Sequence, residues 1–130
     1  MKRACVLFAL VASVALAAEV LTVDKLIEKA DTHNNNDVVV TGKVSDYQAK
    51  TSKAGNPYTN FKLKGDNTVA SVYFQGHMES APKNGDIVEV TGVYRKEKKV
   101  NDSFTVKNEI DATKKQGKKY GVKVTKKADG

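Results

Sequence analysis

Residues 50 to 64, KTSKAGNPYTNFKLK, combine lysines with a tyrosine in a pattern that could bind a flat, anionic ligand. Tyr58, Asn60 and Lys62 alternate with apolar Phe61 and Leu63. Successive side chains of a β-strand point to opposite faces, so this alternation predicts a buried apolar pair and three outward side chains. An outward tyrosine offers a planar ring for stacking, and an outward lysine offers a positive charge.

The next apolar stretch, residues 69 to 74, alternates in the same way. Ala70, Val72 and Phe74 are predicted to point inward, which leaves Ser71 and Tyr73 on the outward face beside the preceding strand. Exposed tyrosine and lysine are also common on ordinary sheet surfaces, where they favour strand formation and keep edges soluble. From the residues alone, a ligand face and a plain solvated face both remain open.

Five segments have strand patterning, with turn-forming residues between them: 38–49, 58–64, 69–74, 86–95 and 103–111. Each is rich in Val, Tyr, Phe or Thr. Gly42 and Gly92 lie inside two of these segments, where a glycine indicates a bend or a close backbone approach. Two glycine-bent strands in a set of five predict a small barrel. Apolar residues at helical spacing predict one short helix over residues 22–31.

The first 17 residues have the order of a secretory signal peptide. A basic KR at 2–3 precedes an apolar run over 4–16, and ALA at 15–17 supplies small residues for a cleavage site. The run is shorter than the roughly 20 residues of a spanning helix. Cys5, the one cysteine, precedes it, whereas a lipoprotein needs a cysteine after it. We therefore expect a bacterial periplasmic or secreted protein, without a membrane span, whose domain covers residues 18–112.

The mature chain is basic and has no cysteine. Cleavage leaves 113 of the 130 residues, with 20 Lys and Arg against 15 acids, a net charge of +5. Such a balance favours an acidic partner, although it also solubilises a surface. Lysines dominate the tail over residues 113–130, with Asp129 as its one acid. The tail is interpreted as a flexible basic extension, or as a short edge strand through residues 120–124.

The order of these segments resembles an OB-fold domain of the nucleic-acid-binding branch. The resemblance rests on YTNFKL at 58–63, ASVYF at 70–74 and NGDIVEVTGVY at 84–94, and it covers residues 37–111. Similar domains bind anticodons in tRNA synthetases or form the N-terminal domain of exonuclease VII. It implies an all-β, five-stranded Greek-key barrel. The connection over 75–85 is short, so we expect its usual helix to be reduced and the helix over 22–31 to close the barrel bottom.

The resemblance also implies a binding face on the second and third strands, bordered by the first-to-second strand loop and by the fourth-to-fifth strand loop over residues 96–101. There, bases would stack on tyrosines and lysines would hold phosphates of single-stranded DNA or RNA. OB-folds also bind other ligands, so a protein or peptide, or a glycan or small ligand of the envelope, is the alternative. The predicted site residues are Lys50, Lys53, Tyr58, Asn60, Lys62, Tyr73, Lys98 and Lys99.

No catalytic signature accompanies this pattern. The chain has no nucleophile elbow, phosphate-binding loop or zinc motif. His33 and His77 are 44 residues apart without a nearby group of acids, so they form no metal-ligand pattern. His33 is interpreted as a helix-terminating residue and His77 as a loop residue. The sequence predicts a binding module without enzymatic activity, cofactor or metal, and leaves its oligomeric state open.

Overall fold

A computed structural model describes residues 19 to 128 of the chain, so the predicted signal peptide lies outside the described residues. Within this range the protein is mostly β-strand with two short helices near its beginning. None of the described helices is long and apolar enough to cross a membrane. The elements are β1 (Val20–Thr22), α1 (Val23–Glu28), α2 (Ala30–His33), β2 (Asp37–Thr51), β3 (Pro57–Lys64), β4 (Val69–Gln75), β5 (Ile87–Asn101), β6 (Phe104–Asp111) and β7 (Gly121–Lys126).

Five of the strands close into a ring. β2 pairs antiparallel with β3, and β3 pairs antiparallel with β4. β4 then pairs in parallel with β6, β6 antiparallel with β5, and β5 antiparallel with β2. The described residues hold seven strands where the sequence predicted five. β1 has only three residues, and β7 lies in the lysine-rich tail, so neither has a long apolar alternation to mark it.

The core fills the ring with the side chains that the alternation predicted. Phe61, Leu63, Ala70, Val72 and Phe74 are all buried, which confirms their predicted inward orientation. Buried residues of the other strands complete this core, among them Val40, Val88, Val90, Tyr94 and Ile110.

The predicted helix over 22–31 is two helices, because the chain leaves the helical region at Lys29, with φ −116° and ψ 43°. The hydroxyl oxygen of Thr22 caps α1 by accepting a hydrogen bond from the Lys25 amide at 3.1 Å. Val23 and Leu26 of α1 are completely buried in the core. The connection over 76–86 holds no helix, so the only described helices that cover the core come before the ring.

The two strand glycines mark close backbone contacts, as predicted. A Cβ at Gly92 would lie 2.2 Å from the Asp111 carbonyl oxygen, and one at Gly42 would lie 2.9 Å from that of Lys64. Next to Gly92, Val93 pairs with Asp37 of β2 and also with Asp111 of β6. β5 therefore passes from one partner strand to the next at this glycine.

β5 is longer than the sequence indicated. Residues 96–101 were predicted to form a loop, and this prediction is wrong. They pair with β6, with Glu97 opposite Lys107 and Lys99 opposite Thr105, and the turn is confined to residues 102 and 103. Backbone pairing with β6 holds this part of the hairpin together, and most of the side chains over 96–101 are exposed. The strand therefore needs no alternation of apolar and polar residues there.

The basic tail contains an edge strand, which is the second of the two interpretations made from sequence. Val122 and Val124 of β7 lie opposite Val90 and Val88 of β5, and both are half-buried against the core. Just before β7, the hydroxyl of Tyr120 donates a hydrogen bond of 2.6 Å to the Asp37 carboxylate. This contact fastens the tail to the start of β2.

Candidate functional site

The predicted aromatic residues meet on the outside of β3 and β4. The strand register sets Asn60 opposite Tyr73 and Lys62 opposite Ser71, which makes Tyr58 the diagonal neighbour of Tyr73. The two tyrosine rings stack with centroids 6.1 Å apart and an interplanar angle of 28°. Both side chains are half-buried, so they form one fixed platform in place of two separate rings.

Two lysines lie on the strands beside this platform, and a third lies on the loop before β3. Lys50 lies directly opposite Tyr58 in the pairing of β2 with β3. Lys53 is exposed on the loop over 52–56, and the Lys62 ammonium donates a hydrogen bond of 3.1 Å to the Ser71 hydroxyl. Within the described residues, none of the three forms an ion pair with a carboxylate. We call the surface of Lys50, Lys53, Tyr58, Asn60, Lys62 and Tyr73 the tyrosine face.

The loop that carries Lys53 is a closed turn. The Ser52 amide donates to the Asn56 carbonyl at 2.8 Å, and the Gly55 amide donates to the Ser52 carbonyl at 2.9 Å. Gly55 has φ 88°, a left-handed conformation that glycine adopts without steric cost. In the connection after β4, His77 Nε2 lies 2.9 Å from the carbonyl oxygen of Lys50 on β2. His77 is therefore engaged with the backbone next to the loop.

Lys98 reaches the tyrosine face from β5 but is neutralised there. Its ammonium lies 4.8 Å from the centroid of the Tyr73 ring, a cation–π contact. It also lies 2.8 Å from the carboxylate of Glu109, a buried residue of β6. The sequence predicted Lys98 as a free cation on a loop. The extension of β5 and the pairing with Glu109 make it a supporting residue of the Tyr73 ring.

Lys99 lies towards the end of the β5–β6 hairpin. Its ammonium is 3.9 Å from the Asp102 carboxylate, and both side chains are exposed. The structure therefore divides the predicted site residues. It brings five of them together on the strands of the tyrosine face, places Lys53 on the adjoining loop, attaches Lys98 to Glu109, and leaves Lys99 at the hairpin end.

Sequence reasoning missed Phe104. Its side chain is 56% exposed at the start of β6 and lines an open groove of about 500 Å³ that also includes Tyr73. Its position directly after the polar residues 101–103 was the available signal, because a strand end beside a polar turn is a poor place for a core residue. The groove is lined by Asn60, Lys62, Tyr73, Phe104, Lys107 and Glu109, among others.

Three aspartates elsewhere secure loops. The pKa of Asp24 is lowered by hydrogen bonds from the Thr68 hydroxyl and the Asn67 and Thr68 amides. This carboxylate joins α1 to the β3–β4 turn.

No group of three metal-ligating side chains occurs within residues 19–128, the part of the chain that the structure describes.

The other two aspartates hold the tail. The Tyr120 hydroxyl and the Lys118 ammonium lower the pKa of Asp37, and the same hydrogen bond raises the pKa of Tyr120. The pKa of Asp86 is lowered by the amides of Lys83 and Ala128, which donate at 2.9 and 2.7 Å. Both carboxylates are therefore structural anchors for the segment that contains β7.

In comparisons with known proteins, neither a family model nor a curated protein sequence matches this chain. The chemistry of the site is therefore argued from its own side chains. A stacked aromatic platform with three flanking lysines can bind a ligand that offers both flat rings and negative charges.

Proposed function

We propose that the protein is an exported, non-enzymatic binding module of the OB type whose tyrosine face binds single-stranded nucleic acid without sequence preference. The observation that carries this proposal is the stacked pair of Tyr58 and Tyr73 beside three lysines without a carboxylate partner in the described residues. Aromatic stacking and phosphate neutralisation are the two contributions that such binding needs.

The strand order supports the OB type. The ring runs β2-β3-β4-β6-β5 and back to β2, with one parallel contact between β4 and β6. In OB-folds the second and third strands form the ligand face. β3 and β4 are the second and third strands of this ring, and they carry Tyr58 and Tyr73.

The arrangement gives each side chain a distinct role. The Tyr58–Tyr73 stack offers its outer ring surface to a base, and each stacked base contributes about 1–3 kcal/mol. Lys50, Lys53 and Lys62 attract the phosphates on either side of that base. Phe104, across the groove, offers a further ring to the next base along the strand. None of these contacts selects one base over another, because every base has a ring face.

The test is a titration of the mature protein into a labelled oligothymidylate of about 16 nucleotides, the upper site size of an OB-fold. Three phosphate contacts predict a slope of log K against log salt of about −2. Binding should therefore be roughly 20-fold weaker at about 200 mM salt than at about 50 mM. Lys50→Gln should reduce the slope by about 0.7, the share of one contact on a single strand.

Lys29→Gln is the matched control, because Lys29 is exposed at the break between α1 and α2, away from the tyrosine face. It should leave the slope unchanged. A protein that binds no oligonucleotide at low salt would contradict the proposal. Binding of a peptide or glycan with little salt dependence would instead favour the alternative class of ligand for this face.

Export is a separate part of the proposal. It rests on the basic start, apolar run and small residues of positions 1–17. N-terminal sequencing of protein expressed in an exporting bacterium should find a chain that begins at Ala18 or Glu19. An intact N-terminus in cytoplasmic material would contradict it.

A further inference from the structure

A second groove lies between β7 and the connection over 76–86. Two open cavities, of about 710 and about 660 Å³, meet along β7 and share Ser80 and Val122. Each is within the size range of ligand-binding sites. We call the joined cavities the edge groove. Its apolar lining includes Phe74, Met78, Ala81, Val122 and Val124.

The edge groove follows a strand edge. Among the described strands, β7 pairs only with β5, so its other edge has no backbone partner there. The connection over 76–86 forms the opposite wall of the groove. The parallel contact that closes the ring ends at Tyr73 and Asp111, so among residues 19–128 no strand pairing spans the space between the end of β4 and β7. An unpaired strand edge offers free amides and carbonyls to an added strand.

The charge around the edge groove is positive. Lys83, Lys114 and Lys127 line it, and Lys123 is exposed in the middle of β7. Two acids also line it. Backbone amides of Lys83 and Ala128 already bind the Asp86 carboxylate, and Glu79 is exposed, so the lining lysines outnumber the lining acids by three to two. These lysines oppose pairing with β7 of a second copy, because like charges would face each other across the new ladder. They favour an acidic strand.

We propose that the edge groove binds an acidic, extended peptide, which adds to β7 as a further strand. β7 has six residues, and at about 3.4 Å per residue it can pair with a segment of similar length, about 20 Å long. Alternate side chains of the peptide then fall on the two faces of the sheet. Apolar ones pack on Val122 and Val124, and acidic ones lie beside Lys123. This peptide site is separate from the tyrosine face and does not depend on nucleic-acid binding.

The probe is a labelled peptide of about eight residues in which valine and glutamate alternate, long enough to cover β7. It should bind, and a peptide with lysine in place of glutamate should not. N-methylation of alternate peptide amides should abolish binding in one register and spare it in the other, because only every second amide faces the neighbouring strand. Loss of binding in both registers, or in neither, would overturn strand addition.

Charge-reversal variants locate the site. Lys123→Glu combined with Lys127→Glu should weaken binding of the valine–glutamate peptide by about tenfold or more, as expected when two exposed charge attractions become repulsions. Lys29 is exposed and lines neither groove, so Lys29→Glu should leave peptide affinity unchanged. Oligonucleotide binding at the tyrosine face is measured on the same variants, so failure of the peptide site can be told apart from failure of the proposed function.

Hydrogen exchange gives a direct readout of the added strand. Bound peptide should slow exchange of amides in β7 and leave β3, which does not line the edge groove, unchanged. Protection of β3 instead, with loss of peptide binding in Tyr73→Ala, would place the peptide on the tyrosine face and overturn the proposal. No measurable binding of the valine–glutamate peptide would overturn it as well.

Discussion

The ion pair between Lys98 and Glu109 should respond unequally to the loss of each partner. The Glu109 side chain is 6% exposed, whereas that of Lys98 is 36% exposed. Lys98→Met therefore leaves a buried carboxylate without its cation, which should cost about 3–5 kcal/mol of folding free energy. Glu109→Gln leaves an ammonium that can turn into water and keeps a polar amide at the site. We expect a loss near 1 kcal/mol, the usual contribution of one hydrogen bond.

Urea unfolding followed by far-ultraviolet circular dichroism measures both losses. With a slope of about 2 kcal/mol per molar, the midpoint should fall by about 2 M for Lys98→Met and by about 0.5 M for Glu109→Gln. Equal losses would refute the reasoning, since they would mean that Glu109 is as well hydrated as Lys98. Glu109→Gln has a second expected effect. It releases the Lys98 charge beside Tyr73, so the salt slope of oligonucleotide binding should steepen by about 0.7.

Three further predictions concern stability. Phe61→Ala should lower the free energy of unfolding by about 3–5 kcal/mol in urea, because the ring is 2% exposed; a smaller loss than 1 kcal/mol would contradict its core position. Tyr120→Phe removes the hydrogen bond to Asp37 and should cost about 1 kcal/mol and speed hydrogen exchange in β7; unchanged exchange would mean that this bond does not hold the tail. Hydrogen bonds lower the pKa values of Asp24, Asp37 and Asp86, so stability should be complete above about pH 4–5 and fall as pH drops through the folded-state values. Each Asp→Asn variant should lose less stability than the unaltered protein as the pH drops. An unfolding midpoint that does not change with pH in acid would contradict the lowered pKa values.

The strands of the ring could be predicted because their alternation reports burial directly. Phe61 and Leu63 on β3, and Val72 and Phe74 on β4, are separated by single residues that stay outside the core. That period fixed which side chains face outward, and with them the positions of Tyr58 and Tyr73 relative to the core. Gly92 was informative for a different reason, since only a residue without Cβ fits against the Asp111 carbonyl.

The rest of the site depends on contacts that leave no local pattern. Lys98 and Glu109 are joined by the pairing of β5 with β6, and neither residue signals its partner in the sequence. The polar run over 96–101 has the composition of a loop, yet backbone pairing alone makes it a strand. β7 was ambiguous for the same reason, because its partner β5 and its anchor at Asp37 are distant in the chain.

The most direct test of the central claim compares two double variants of the stacked tyrosines. In Tyr58→Ala/Tyr73→Ala the rings are lost, and in Tyr58→Phe/Tyr73→Phe the rings remain without their hydroxyls. Affinity for the labelled oligothymidylate should fall about 30-fold in the alanine variant, which corresponds to the loss of one stacked base at about 2 kcal/mol. The phenylalanine variant should bind as the unaltered protein does. Equal affinity of the alanine variant, with its fold intact by circular dichroism, would show that the tyrosine face is not where the nucleic acid binds.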